Sequence, residues 1–198
     1  MVTNQKVRYL SVAETAKLVR VALKKEFPNV KFSVRSRSYS GGASIDVGWT
    51  DGPRTCIVEP IAKRYQGGGF DGMIDLKYSL NHYLRPDGET FVLHDPGTEG
   101  SGGMHSAEDN RGLAPLMPPD VELVHFGADF IFCQRSVSNF EAKVVDAIKW
   151  LNQHCHIIGD SRNPKTDMFG NRTVEDYARN MAWDWVEGED WEANFKRR

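Results

Sequence analysis

The chain has 198 residues, 40% of them apolar and 26% charged, with a formal net charge of −2, which is the composition of an ordinary soluble globular protein with apolar chain enough for one good core or two small ones. Its first residues lack the apolar run of a signal peptide, and no later run approaches the roughly 18 apolar residues of a membrane helix, so a cytoplasmic location is expected. Three scattered cysteines, Cys56, Cys133 and Cys155, are too few for a disulfide framework and read as reduced, mostly buried thiols.

In chain order, Ser11-Val12-Ala13-Glu14 has the form of a capping box, so a helix is predicted to start there. Val12, Ala16, Val19, Leu23 and Phe27 recur at helical spacing while Lys17, Arg20 and Lys24 occupy other faces, and Pro28 ends the pattern. From Val30 the period becomes two: Val30, Phe32 and Val34 point one way, Lys31, Ser33, Arg35 and Arg37 the other. Ser40-Gly41-Gly42 supplies a hairpin turn, Ala43, Ile45, Val47 and Trp49 alternate on the return strand, and Asp51-Gly52-Pro53 stops it. A second helix is predicted over Pro53 to Tyr65, closed by Gly67-Gly68-Gly69.

The apolar segment that continues to Leu84 fits strand and helix equally. Phe91-Val92-Leu93 reads as a short strand and residues 94–120 as a long Gly/Pro-rich loop containing His94 and His105. Val121 to Phe126 and Asp129 to Gln134 read as strands that extend the first sheet. Ser138-Asn139-Phe140-Glu141 repeats the capping-box pattern before a helix that ends near His154, and a last helix starts near Thr173. The expected fold is α+β, an antiparallel or mixed sheet built on an N-terminal helix-hairpin-helix unit with additional strands and two C-terminal helices.

Charge divides unevenly: residues 1–65 carry 12 Lys and Arg against 5 Asp and Glu, and residues 66–198 carry 13 against 22. The expected organisation is a basic half over 1–93, the loop over 94–120 and an acidic half over 121–198, packed with the first as one domain. A basic half can meet nucleic acid or an acidic protein, and an acidic one can imitate nucleic acid. Solvated surface of mixed sign accounts for the same counts.

The stretches SVAETAKLVRVALKKEFPNVKFSVRSRSYSGGASIDVGWTDGP and GFDGMIDL and, more loosely, FGADFIFCQR and MFGNRTVEDYARNMA resemble large polyvalent protein associated domain family 29. The resemblance covers most of the chain apart from the loop and the extreme C-terminus. It implies association with polyvalent proteins of phages and conjugative elements, which enter a host with invading DNA and protect or process it. A counter-defence role, against CRISPR or restriction systems, follows as an expectation. No catalytic residues come with the resemblance.

Three sets of residues carry candidate chemistry. Lys17, Arg20, Lys24, Lys31, Arg35 and Arg37 with Tyr39 form a candidate nucleic-acid surface, since spaced cations track phosphates and an aromatic ring stacks on a base. Asp75-Leu76-Lys77 is a D-x-K half-motif which, with Asp71 or another of Asp46, Asp51 and Glu59, suits an Mg²⁺-dependent nuclease; the same residues suit a fixed turn with Asp71 and Asp75 accepting backbone hydrogen bonds. Trp183 and Trp191 are candidate partner-binding anchors in an acidic tail that could also pack on its own chain. His154-Cys155-His156 with Cys133 has zinc-ligand types without a known spacing, so no metal or cofactor is expected. The reading is a non-enzymatic binding module that contacts nucleic acid or a host nucleic-acid-handling defence complex. Its alternatives are the nuclease and a protein-docking module that mimics nucleic acid.

Overall fold

The structure is a computed structural model and describes residues 6–91, 120–159 and 163–197. Val92, Leu93, His94, His105 and the expected loop, Asp120 apart, lie outside the described residues. What is described is a mixed α+β fold with five helices and several small sheets. No helix among the described residues is long and apolar enough to cross a membrane.

The chain divides into two compact units, one of Met1–Trp49 with Thr55–Gln134 and one of Thr50–Arg54 with Arg135–Arg198. The division therefore falls at Gln134 and around residues 50–54.

In the first unit, β1 (Arg8–Tyr9) leads to α1 (Val12–Glu26), whose start is the predicted capping box: the Ser11 hydroxyl accepts from the Glu14 amide and the Glu14 carboxylate accepts from the Ser11 amide. Its apolar stripe buries Ala16, Val19 and Leu23 completely. The antiparallel strands β2 (Ser33–Tyr39) and β3 (Gly42–Thr50) follow, with Tyr39 paired to Gly42 across a two-residue turn in which Gly41 has φ +88°. That left-handed position costs glycine no Cβ clash. Next comes α2 (Thr55–Lys63), shorter at both ends than the predicted 53–65; before it Asp51 and Gly52 are both left-handed, at φ +57° and +64°.

The three glycines after α2 do not act as a positive-φ helix stop. Gly68 and Gly69 lie in β4 (Gly68–Asp71), paired with β5 (Leu76–Ser79). A Cβ on Gly67 would overlap the carbonyl oxygen of Phe126, and one on Gly69 would overlap the ring of Tyr78. These glycines permit close approach.

The undecided segment to Leu84 is strand throughout: β5 and then β6 (Asn81–Leu84), which joins β7 (Thr90–Phe91), β8 (Glu122–His125) and β1 in a four-stranded sheet of order β1-β8-β6-β7. That sheet is mixed, since β1 and β8 run parallel while β6 is antiparallel to both its neighbours. The expectation that both late strands extend the first sheet is half right. Only β9 (Phe130–Ser136) joins β2 and β3, in the order β2-β3-β9, and β8 belongs to the other sheet. Val34, Ile45, Val47, Val58, Phe126 and Ile131 meet α1 in one core.

The second unit holds three helices where two were expected: α3 (Phe140–His154), α4 (Val174–Asp184) and the six-residue α5 (Trp191–Lys196), with a short hairpin of β10 (Met168–Phe169) and β11 (Arg172–Thr173). Its core is formed by Val144, Ala147, Leu151, Val174, Ala178 and Met181. The capping box expected at Ser138 is not formed. The N-cap of α3 is Asn139, left-handed at φ +50° and without a side-chain cap, while the Ser138 amide donates to Asp51 Oδ1 at 2.9 Å. Burial pushes the Asp51 carboxyl up, but the Ser138 hydrogen bonds with Lys143 and Arg135 nearby outweigh it and hold the group below its ordinary range.

Candidate nucleic-acid interface

Helical geometry brings Lys17, Arg20 and Lys24 onto one strip of α1, since residues three, four and seven apart share a face, and all three are exposed. Arg20 ties this strip to the sheet: its Nη2 donates to the carbonyl oxygen of Val34 in β2 at 2.6 Å. Along β2 the register sets Arg35 opposite Asp46 and Arg37 opposite Ser44. Arg35 and Arg37 therefore share the face away from Val34, and both are exposed, as is Lys31 just before the strand. Arg37 lies 3.8 Å from Asp46, and among the described residues Arg35 has no ion pair. Tyr39, 48% exposed, closes the row at the turn, with its ring beside Gly42.

The structure adds residues that the sequence reading passed over. Ile131 is buried in the core with Ile45 and Val47, so the pleat of β9 turns Phe130 and Phe132 to the face that carries Arg35 and Arg37. Phe132 is 51% exposed, and its ring centroid is 6.4 Å from that of Phe130. The signal was present in Phe130-Ile131-Phe132, which alternates about Ile131 once β9 is a strand with one buried face; read as a continuous apolar run, it concealed two outward rings.

The D-x-K residues lie on the β4-β5 hairpin and its turn. Asp71 is 6% exposed and its Oδ1 accepts from the Met73 amide at 2.8 Å, an Asx turn. Asp75 occupies a left-handed position at φ +54°. Lys77 turns to another carboxylate, with Nζ 2.9 Å from Asp129 Oδ2. Of the other acids, Asp46 faces Arg37, Asp51 belongs to the second unit, and Glu59 pairs with Lys63 at 2.5 Å. Among the described residues no group of three or more His, Cys, Asp or Glu is placed to hold a metal ion. The cysteines are not mostly buried as expected: Cys56 is exposed and Cys133 and Cys155 are half-buried. Partial burial, with Glu59 nearby, pushes the Cys133 thiol up to about 11, which keeps it protonated and weakly nucleophilic at neutral pH. His154 stacks on Trp150 at 4.7 Å between ring centroids and uses Nδ1 on the Trp150 carbonyl.

The two tryptophans of the tail differ. Trp183 on α4 is 45% exposed and meets Phe140 edge to face at 6.2 Å, while Trp191 packs against the second core. Trp185 follows the end of α4, with the Lys143 ammonium 4.6 Å from the centre of its ring. Residues 183–192 around them carry five Asp and Glu and no Lys or Arg, whereas residues 135–198 as a whole carry ten Lys and Arg against eleven Asp and Glu, and most of the imbalance lies in residues 66–134.

The model of the family described as large polyvalent protein associated domain 29 matches residues 10–138, a span that takes in α1, the β2-β3-β9 sheet and the turn at Asp71. No curated protein matches the chain, and no solved structure matches it.

Proposed function

We propose that this chain, which belongs to the large polyvalent protein associated domain 29 family, is a non-enzymatic binding module of a phage or mobile element that contacts nucleic acid, free or within a host defence complex. The observation that carries the reading is the bond from Arg20 to the Val34 carbonyl, which joins the cationic strip of α1 to the strand presenting Arg35 and Arg37. Helix α1, the β2-β3 hairpin and α2 act as one N-terminal platform in this reading. Lys17, Arg20, Lys24, Lys31, Arg35 and Arg37 then follow phosphates, and Tyr39 stacks at the end of the row. A counter-defence role in the host cytoplasm follows if the nucleic acid is the invading DNA or the guide of a defence complex.

The test is fluorescence anisotropy with labelled DNA and RNA across a salt series in EDTA. Affinity should fall steeply with salt, and reversing Lys31, Arg35 and Arg37 to Glu should abolish binding at moderate salt. Salt-independent binding, or binding unchanged by the triple reversal, overturns the assignment of this surface.

A second reading is favoured by one observation. Trp183 is 45% exposed on a regular helix, and an exposed tryptophan is a common anchor of protein contacts. Loss of capture of a host complex by Trp183→Ala, with nucleic-acid binding intact, would assign it that role.

A further inference from the structure

The outer face of the β2-β3-β9 sheet has two chemically distinct rows. On β2 stand Arg35 and Arg37, and on β9 stand Phe130 and Phe132, with β3 between them. Strands are spaced by about 4.8 Å, so the cationic and aromatic rows run roughly 10 Å apart. Between them β3 contributes the small residues Ser44, Asp46 and Gly48, of which Ser44 is buried and Asp46 and Gly48 are half-buried, so the open floor lies at Asp46 and Gly48.

The aromatic row continues past β9. Phe70, on β4 opposite Lys77, is 54% exposed. It lines a cleft of about 400 Å³ with Phe130, Phe132, Lys63 and Gln134. Lys77 secures this side of the face: besides its pair with Asp129, it lies 5.9 Å from the centre of the Phe130 ring and 3.5 Å from the Gly41 carbonyl at the β2-β3 turn. Exposed rings on a sheet beside exposed arginines are unfavourable to leave in water and favourable to cover with a flat, electron-rich ring attached to an anion.

We propose that this face binds single-stranded nucleic acid, with the sugar-phosphate backbone along Arg35 and Arg37 on β2 and the unpaired bases laid across β3 to stack on Phe130 and Phe132, one of them entering the cleft between Phe132 and Phe70. The proposal rests on the nucleic-acid reading above and gives it a substrate class. Duplex is disfavoured because its bases already stack on one another inside the helix, where Phe132 and Phe70 cannot reach their faces. Asp46 offers an acceptor to exocyclic amines of bases that cross β3. Sequence preference should be weak, since stacking accepts any base.

The test is anisotropy with one labelled oligonucleotide presented single-stranded and as its duplex, in EDTA across a salt series, for the full chain and for Phe70→Ala, Phe132→Ala, Phe132→Tyr and Arg35→Glu. Single strand should bind more tightly than duplex. Each alanine variant should lose about five- to a hundred-fold in single-strand affinity at every salt concentration without changing the salt slope, and Phe132→Tyr, which keeps the ring, should retain affinity. Arg35→Glu should instead make the slope shallower. Equal or tighter duplex binding, or wild-type affinity in both alanine variants, overturns the stacking platform while leaving the nucleic-acid reading in place. Absence of binding to either form at low salt overturns both.

Discussion

Lys77 and Asp129 meet at 2.9 Å, and the carboxylate oxygen that receives the ammonium also accepts from the Ala43 amide at 2.9 Å. One half-buried acid thus joins the β4-β5 hairpin to the β2-β3 hairpin, and the lysine of the D-x-K motif is committed to holding strands together. Asp129→Ala leaves an amide and a lysine without their acceptor and should cost about 1–3 kcal/mol, read as a lowered urea midpoint. Lys77→Met should cost less, because the carboxylate keeps its backbone donor. A larger loss from Lys77→Met than from Asp129→Ala would contradict this ordering.

Stability should fall in mild acid because of His82. Its side chain is 3% exposed, its ring packs on Phe126 at 4.8 Å, and its Nε2 lies 2.8 Å from the Gln66 carbonyl. The carbonyl only accepts, so Nε2 carries the proton in the neutral ring, and the buried Nδ1 has no hydrogen-bond partner among the described residues. A second proton would have to sit there. Burial therefore holds the pKa below the ordinary 6.5, with His125 adding to the effect and the Gln66 bond opposing it. Since the folded value is depressed, the unfolded chain binds the proton first: the contribution is complete above about pH 6.5 and is lost as pH falls from there through the folded pKa. Urea midpoints measured between neutral pH and pH 5 should show the decline, and His82→Gln, which keeps a donor for Gln66 and does not titrate, should flatten it.

Two glycines of the same segment should respond oppositely to alanine. At Gly67 a methyl group overlaps the Phe126 carbonyl, and backbone must shift; at Gly72 nothing lies within 4 Å. Gly67→Ala should destabilise by about 1–3 kcal/mol, and Gly72→Ala should stay within about 0.5 kcal/mol of wild type. Denaturant midpoints of the pair provide the check.

Arg135 is 4% exposed and, among the described residues, its hydrogen-bond partners are carbonyl oxygens: Trp183 and, at 2.6 Å, Trp185 at the end of α4, and Gly52 at 3.1 Å and Asp51 at 3.4 Å. Burial lowers its pKa, yet the guanidinium remains charged at any ordinary pH. An ammonium cannot span the four acceptors, so Arg135→Lys should destabilise nearly as much as Arg135→Met, by about 3 kcal/mol or more. A Lys variant with a wild-type midpoint would show that charge alone suffices.

Local signals were legible where one residue decides. Ser11 with Glu14 specifies the start of α1, and the change of period at Val30 announces β2. Ser138 with Glu141 shows the same spelling failing, because the amide of Ser138 finds Asp51, a partner far away in sequence, and the cap passes to Asn139. The cations of the candidate interface were legible as well, since alternation alone turns Arg35 and Arg37 outward. Phe132 and Phe70 were not, because their exposure depends on which strands neighbour β9 and β4, and register between distant strands leaves no mark in a single sequence. Nor could spacing reveal that Gly67 and Gly69 serve close approach, since the atoms they admit belong to Phe126 and Tyr78.

Residues 50–54 belong to the second unit although they interrupt the first, so the chain passes between the units at 49/50, 54/55 and 134/135. This has a bearing on synthesis. The ribosome delivers Asp51 and Gly52 roughly eighty residues before Arg135, an interval of several seconds at about 5–20 residues per second. Over that time the guanidinium that will bind these two carbonyls has not yet been made, while α2 and β4 are already being added beyond them. The second unit is finished by threading its newest chain onto one of the oldest segments, and an arrest anywhere before Arg135 strands that segment with nothing to close upon.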